Sequence, residues 1–171
     1  MNVAVLMSTY NGEKYIEDLL KCFDKQKINN FKLLFINDGS KDRSLEILNL
    51  QKEKYKFSIT VLNQENSGVS SARNKGILYS TAEYITFVDV DDFVTENYSE
   101  LLEEAVKKDI DLLLFQSKRV KNIKLYEYKC KRKESFLMNE VKNEKIIMDF
   151  IINPTKYGVY NLLLKRQYFQ K

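Results

Sequence analysis

The chain has 171 residues, of which 44% are hydrophobic and 30% charged, as expected for one folded domain with a substantial core. Its net charge of +4 is too small to indicate a nucleic-acid partner, and no apolar run reaches the roughly 20 residues that span a bilayer. The absence of histidine excludes Ser-His and Cys-His nucleophiles and histidine-bound zinc, so carboxylates must supply any acid–base chemistry.

Short apolar runs alternate with segments of helical periodicity along the first two thirds of the chain. The runs at 3–7, 31–37, 58–64, 84–88 and 109–116 predict five strands. The intervening segments predict helices, the first of which places four apolar residues at helical spacing: Ile16, Leu19, Leu20 and Phe23. This alternation predicts an α/β fold with a largely parallel central sheet flanked by helices.

Polar clusters follow each of the first four predicted strands. They lie at residues 8–10, 37–39, 66–73 and 89–92. The carboxyl ends of parallel strands meet at one edge of a sheet, where α/β proteins bind their ligands. The sequence therefore predicts one binding site built from all four clusters.

The acidic cluster after the fourth strand, "DVDDF", has several interpretations. An EF-hand is excluded because Val94 occupies its glycine position and a strand precedes it. Asp89 and Asp91 are close enough to hold Mn²⁺ or Mg²⁺ together with substrate phosphates. The cluster could also form a solvated turn. A D-x-D phosphotransferase site similar to that of the haloacid dehalogenases is less favoured, because the threonine two places after the second aspartate is missing.

The pattern weakens from Lys118 onward. The basic stretch at 117–133 predicts either an edge strand protected by lysines or a weak contact with an anionic membrane surface. The segment 139–153 predicts an amphipathic helix that ends before Pro154. Cys22 and Cys130 have no metal-ligand spacing, which favours a reducing cytoplasmic location, with the inner face of the plasma membrane as a peripheral site.

Four segments, taken in order, resemble family 2 glycosyltransferases of the GT-A fold. They are "VAVLMSTYNGEKYIEDLLKCF", "LLFINDGSKDRSLEIL", "NQENSGVSSARNKGI" and "YITFVDVDDFV". The resemblance runs from Val3 to about Lys107, with a weaker echo of a W-N-K-L-Y-R-R segment in "GVYNLLLKRQYF". It implies an inverting enzyme that transfers a sugar from a UDP- or dTDP-sugar to a glycan or lipid-linked acceptor in surface polysaccharide synthesis.

The resemblance also implies a division of roles. Tyr10 would pack on the nucleotide base, Asp38 would accept a hydrogen bond from the pyrimidine N–H, and Arg73 would contact the nucleotide or diphosphate. Asp89 would lie near the ribose and, with Asp91, hold the divalent cation. The remaining residues implied for the nucleotide-sugar site are Ser8, Thr9, Glu13, Asn66 and Gly68.

Three departures from the family pattern qualify this expectation. Ser8 stands where a proline is usual, and Asn37 replaces the first aspartate of D-D-G-S. The acceptor's general base is expected beyond Lys171, because the acids nearest that end belong to the predicted helix at 139–153: Glu140, Glu144 and Asp149.

The expected organisation is a single domain with a nucleotide-sugar-binding core at 1–117 and the incomplete start of an acceptor-side region at 118–171. Apolar surface left uncovered near "KIIMDFII" and "GVYNLLL" would then favour a homo-oligomer. A non-catalytic nucleotide-binding module is the alternative function.

Overall fold

The computed structural model describes residues 2–114 and 162–169. The strands are β1 (Val3–Thr9), β2 (Phe31–Asp38), β3 (Ser58–Gln64), β4 (Tyr84–Phe87), β5 (Leu112–Leu114) and β6 (Leu162–Lys165). The helices are α1 (Glu13–Asp24), α2 (Ser44–Gln51), α3 (Val69–Tyr79) and α4 (Tyr98–Lys107), and a 3₁₀ turn spans Arg166–Phe169. The alternating order confirms the predicted α/β fold.

The described strands form one six-stranded sheet in the order β3-β2-β1-β4-β6-β5. β1 to β4 are mutually parallel, whereas β6 is antiparallel to both β4 and β5. The chain moves outward from β1 through β2 to β3 and then returns to place β4 on the other side of β1. The carboxyl ends of β1 and β4 therefore flank a topological switch point, where a crevice for ligands is expected.

Both faces of the sheet are buried, as the continuous apolar runs predict. Along β1, Val5 and Met7 belong to one hydrophobic cluster, whereas Ala4 and Leu6 belong to the other. Residues of α1, α2 and α4 pack in the first cluster, and Ala72 of α3 packs in the second. Helices thus cover both faces of the sheet, and the polar residues of the predicted site lie at its strand ends.

The first helix is held by the apolar stripe that its spacing predicts. Its four stripe residues are fully buried: Ile16, Leu19, Leu20 and Phe23. The Phe23 ring lies 5.5 Å from that of Phe31 and 6.2 Å from that of Tyr98, so α1 is packed against both β2 and α4. Burial of a side chain of this size contributes about 1.5–3 kcal/mol, which fixes α1 and the loop before it on the sheet.

The strand β6 corrects one expectation from the sequence. Apolar surface was expected to stay uncovered near "GVYNLLL", but Leu162, Leu163 and Leu164 are all buried in β6, between β4 and β5. The Lys165 ammonium lies 2.8 Å from the Asp111 carboxylate and 2.9 Å from that of Asp109, which ties the end of β6 to the turn between α4 and β5. Because these three leucines are buried, they provide no apolar surface that would favour a homo-oligomer.

Several expectations concern residues outside the described part of the chain. They are the basic stretch at 117–133, the helix at 139–153 with its three acids, Cys130, and the apolar segment "KIIMDFII". The division into a core at 1–117 and an acceptor-side region at 118–171 also stays a prediction.

Within residues 2–114 and 162–169, no helix has the length and apolar character that crossing a membrane requires.

Candidate active site

A cleft of about 290 Å³ opens at the carboxyl ends of β1, β2 and β4, at the switch point of the sheet. Seven of the residues singled out from the sequence line it: Ser8, Thr9, Tyr10, Asp38, Arg73, Asp89 and Asp91. They come from three strand ends and from α3, and only the fold brings them together. The predicted convergence of the polar clusters on one edge is therefore confirmed for these residues, while their individual roles stay predictions.

Three other singled-out residues, Glu13, Asn66 and Gly68, do not line the cleft. The Glu13 carboxylate instead accepts a hydrogen bond of 3.0 Å from the backbone N–H of Arg43. Asn66 is exposed and lies against Gly39, where a Cβ would come within 2.6 Å of the Asn66 nitrogen. Gly68 precedes α3 with a φ of +87°, a conformation that favours glycine.

The acidic side of the cleft contains an ion pair between α3 and the end of β4. The Arg73 Nη2 donates a hydrogen bond of 2.9 Å to the Asp89 carboxylate, and the guanidinium lies 5.8 Å from the centre of the Phe87 ring. Burial raises the pKa of Asp89, and the Arg73 charge opposes that rise without cancelling it. The pair therefore places one positive and one negative group on the same wall.

Asp91 and Asp92 differ in position although they are adjacent in sequence. Asp91 lines the cleft, whereas Asp92 does not, and its backbone N–H closes a turn by donating to the Asp89 carbonyl oxygen at 3.0 Å. Burial and then the neighbouring Asp89 and Asp91 charges raise the pKa of Asp92. The three acids thus separate into two that face the cleft and one in the adjoining turn.

Asp38 is buried at the end of β2 and organises the loop before α3. Its carboxylate accepts hydrogen bonds from Gln64 Nε2 at 2.7 Å, from the Ser67 N–H at 2.9 Å and from the Gly68 N–H at 2.9 Å. Burial opposes ionisation, but these donors outweigh it and lower the pKa of Asp38. Three of about four acceptor positions are filled, which leaves one for a ligand.

The loop between β1 and α1 also lines the cleft, with Tyr10, Asn11 and Gly12. The Tyr10 side chain is 50% exposed and borders the cleft, so its ring is available to a planar ligand. Gly12 allows this loop to approach the segment that follows β4, since a Cβ at that position would lie 3.0 Å from a methyl group of Val90. The cleft therefore combines an accessible aromatic ring with charged groups.

Five cleft residues were not singled out from the sequence: Asn11, Gly12, Tyr15, Val69 and Val90. Tyr15 and Val69 are each exposed at the start of a helix. Within this group Gly12 has a sequence signal, because a glycine in the short connection between a strand and a helix is typical of a turn. Asn37, the departure from the family's D-D-G-S, lies outside the cleft and donates to Asn63 Oδ1 at 2.6 Å.

The donor set of the cleft is compatible with a divalent cation of the Mg²⁺ or Mn²⁺ type. Asp89 and Asp91 supply carboxylate oxygens, which these cations combine with substrate phosphates. Within residues 2–114 and 162–169, no group of three or more histidine, cysteine or acidic side chains is arranged to hold a metal ion. A cation would thus depend on the substrate to complete its coordination.

The sequence as a whole matches the model of glycosyl transferase family 2 over residues 4–168. The chain belongs to glycosyl transferase family 2. This membership favours the glycosyltransferase interpretation of the D-x-D cluster over the phosphotransferase interpretation. The family match also extends past the strong motifs and includes β6 and the 3₁₀ turn.

Curated relatives in this family include several bacterial proteins. The glycosyltransferase GlyG of Streptococcus pneumoniae is 37% identical over 117 residues, which are 66% of this chain and 38% of the relative. The minor teichoic acid biosynthesis protein GgaB of Bacillus subtilis is 38% identical over 99 residues, which are 57% of this chain and 11% of the relative. Two glycosyltransferases of B. subtilis are each matched over 32% of their length, so the chain spans only a part of such relatives.

Solved structures share the fold. TarS of Staphylococcus aureus (residues 1–349) in complex with UDP-GlcNAc is 28% identical, with a TM-score of 0.63 over 71% of this chain and 36% of TarS. The mannosyltransferase of Pyrobaculum calidifontis in complex with GDP-Man and Mn²⁺ has a TM-score of 0.61 over 68% of this chain and 36% of its own. At 17% identity it supports the fold alone. The family 2 chain thus has the GT-A fold.

Proposed function

We propose that this chain is the nucleotide-sugar-binding part of an inverting glycosyltransferase that uses a UDP- or dTDP-sugar. The observation that carries the proposal is the cleft itself, which is lined by Tyr10, Arg73, Asp89 and Asp91. A nucleoside diphosphate has a planar base and two charged phosphates, and the cleft offers an aromatic ring and charged groups that match them.

The base would lie on the Tyr10 side. Aromatic stacking needs an accessible ring face, which the half-exposed Tyr10 offers. Asp38 lines the same cleft with one acceptor position left by its protein donors, so it can accept one hydrogen bond from a pyrimidine N–H. TarS is 28% identical in sequence to this chain, and its structure contains UDP-GlcNAc, which supports a donor with a uracil base.

The diphosphate would lie on the charged side. Arg73 can donate to phosphate oxygens from α3, and Asp89 and Asp91 would hold a divalent cation there. Such a cation, when bound, offsets the negative charge that grows on the departing nucleoside diphosphate. The protein's own contribution is to place the guanidinium and two carboxylates on one wall.

The acceptor is a glycan or a lipid-linked glycan in surface polysaccharide synthesis. Support comes from the relative GgaB, which is named for minor teichoic acid biosynthesis. The protein would work in the cytoplasm at the inner face of the plasma membrane, where the free Cys22 thiol would stay reduced. The general base that accepts the acceptor's proton is expected outside the described residues.

A titration series tests the donor assignment. UDP, dTDP, GDP and ADP are titrated into the full chain with Mn²⁺, and the same series is repeated with Tyr10→Ala. We expect UDP or dTDP to bind more tightly than the purine nucleotides and Tyr10→Ala to weaken binding. Equal binding of all four, unaffected by Tyr10→Ala, would contradict the proposal. Sugar transfer from the preferred nucleotide sugar to a glycan acceptor would exclude the non-catalytic module.

A further inference from the structure

The loop between β2 and α2 is hydrogen-bonded to the loop that carries Tyr10. Ser40 Oγ accepts from the Asn11 N–H at 3.0 Å, and Asn11 Oδ1 accepts from the Lys41 N–H at 2.8 Å. The buried Gly12 N–H donates to Ser44 Oγ at 2.8 Å. Each of the two loops therefore both donates hydrogen bonds to the other and accepts them from it.

Asp42 lies at the centre of this junction. Its Oδ2 accepts from the Glu13 N–H at 3.1 Å, at the start of α1. Its Oδ1 accepts from the Ser44 N–H at 3.0 Å and from the Ser44 hydroxyl, at the start of α2. One carboxylate thus caps the N-termini of two helices, each oxygen serving a different helix.

The helix ends that Asp42 joins have no hydrogen bond from the side chains of their own N-cap residues, Gly12 and Arg43. Unpaired N–H groups at a helix N-terminus need an acceptor and favour a negative charge. Burial opposes ionisation of Asp42, but the hydrogen bonds from Ser44 and Glu13 prevail and lower its pKa. Asp42 is therefore a charged carboxylate at neutral pH.

The geometry points to Asp42 as a positioning residue for nucleotide binding, one that acts through the Tyr10 loop. This inference rests on the proposed function, because it concerns the same cleft. Tyr10, Asn11 and Gly12 line the cleft directly before the helix start that Asp42 caps, whereas Asp42 itself does not line it. A loop held in one conformation before the ligand arrives loses less entropy on binding.

The end of β2, just before the same connection, also holds the start of α3. Asp38, four residues before Asp42, accepts from the Ser67 and Gly68 N–H groups at the start of α3. Asp42 thus holds the Tyr10 loop, and Asp38 holds the start of α3, the helix that carries Arg73. Together they fix the spacing between the loop and this helix. Of the two, only Asp38 lines the cleft.

The variant that tests this role is Asp42→Asn. Asparagine keeps the volume but has a single acceptor oxygen, so it can cap one helix and not both. The matched control is Glu46→Gln on α2, which removes the same charge from an exposed carboxylate paired with Arg43 at 3.1 Å. Hydrogen exchange of residues 10–14 and UDP affinity in the presence of Mn²⁺ are measured for both variants of the full chain.

We expect Asp42→Asn to accelerate exchange in residues 10–14 and to weaken UDP binding about tenfold, with no such change in Glu46→Gln. In a Tyr10→Ala background, Asp42→Asn should have little further effect on affinity, since both changes remove the same contribution. Such coupling distinguishes positioning through Tyr10 from a general loss of stability.

Two results would overturn the inference: unchanged UDP affinity in Asp42→Asn, or a loss of affinity that is just as large in the Tyr10→Ala background. A protein that binds no nucleotide would overturn the proposed function instead. Hydrogen exchange of residues 10–14 needs no ligand, so it would still show whether Asp42 holds the Tyr10 loop.

Discussion

Arg73 and Asp89 form an ion pair of 2.9 Å on the wall of the cleft, and the Arg73 side chain is only 12% exposed. The pair joins α3 to the end of β4 and so connects two of the polar clusters that follow the strands. The Arg73 guanidinium also opposes, without cancelling, the rise that burial causes in the pKa of Asp89, next to the proposed diphosphate position.

Replacing Arg73 by glutamine should weaken UDP binding by about 1.5–3 kcal/mol, because a charge-assisted donor is lost and Asp89 becomes harder to ionise. Calorimetric titration with Mn²⁺ measures the change. Lys75→Gln is the matched control: it removes one positive charge from the same helix, at a side chain that donates to the Asn63 carbonyl outside the cleft. Equal losses in both variants would mean that only the net charge of α3 matters.

Replacing Asp38 by asparagine should lower the free energy of unfolding at neutral pH, on the order of 2 kcal/mol, because its three protein donors lose a charged acceptor. The folded state lowers the pKa of Asp38, so its contribution is complete above the ordinary value of about 4 and disappears as the pH falls below it.

Urea denaturation of wild type and Asp38→Asn at neutral pH and at about pH 3 tests this sign. The difference between the two proteins should shrink in acid. A difference that grows on acidification would contradict the account of Asp38. The exposed Glu46→Gln is the control and should differ little from wild type at either pH.

The first four strands and the position of the cleft could be predicted because local patterns encode them. Continuous apolar runs mark strands that are buried on both faces, and the polar residues that follow them must lie at one edge when the strands are parallel. The register between β1 and β4 confirms this for Ser8 to Tyr10 and Asp89 to Asp91.

The remaining features depend on contacts between residues far apart in sequence. The insertion of β6 between β4 and β5 pairs Leu163 with Thr86 and Leu113, which no local pattern indicates. The hydrogen bonds of Asp38 and Asp42 look like turn chemistry in the sequence, since aspartate near glycine and serine is common in loops. The resemblance implies a place in the nucleotide-sugar site for Glu13, whereas its carboxylate accepts a hydrogen bond from the Arg43 N–H.

Two glycines with positive φ should respond differently to alanine. Gly68→Ala meets no atom within 4 Å and should cost only the backbone strain of about 1–2 kcal/mol. Gly39→Ala has the same strain and also places a methyl group 2.6 Å from the Asn66 backbone nitrogen, so it should cost about 1–3 kcal/mol more. Urea denaturation measures the free energy of unfolding of both variants. A smaller loss for Gly39→Ala than for Gly68→Ala would show that Gly39 and Asn66 are not packed against each other as described.

The central claim is that the cleft binds a nucleoside diphosphate together with a divalent cation held by Asp91 and Asp89. Its most direct test is calorimetric titration of UDP into wild type, Asp91→Asn and the neighbouring control Asp92→Asn, each with Mn²⁺ and with chelator. We predict that Mn²⁺ increases the affinity of wild type and Asp92→Asn at least tenfold and that Asp91→Asn loses this dependence. Equal affinity with Mn²⁺ and with chelator in wild type would contradict the claim.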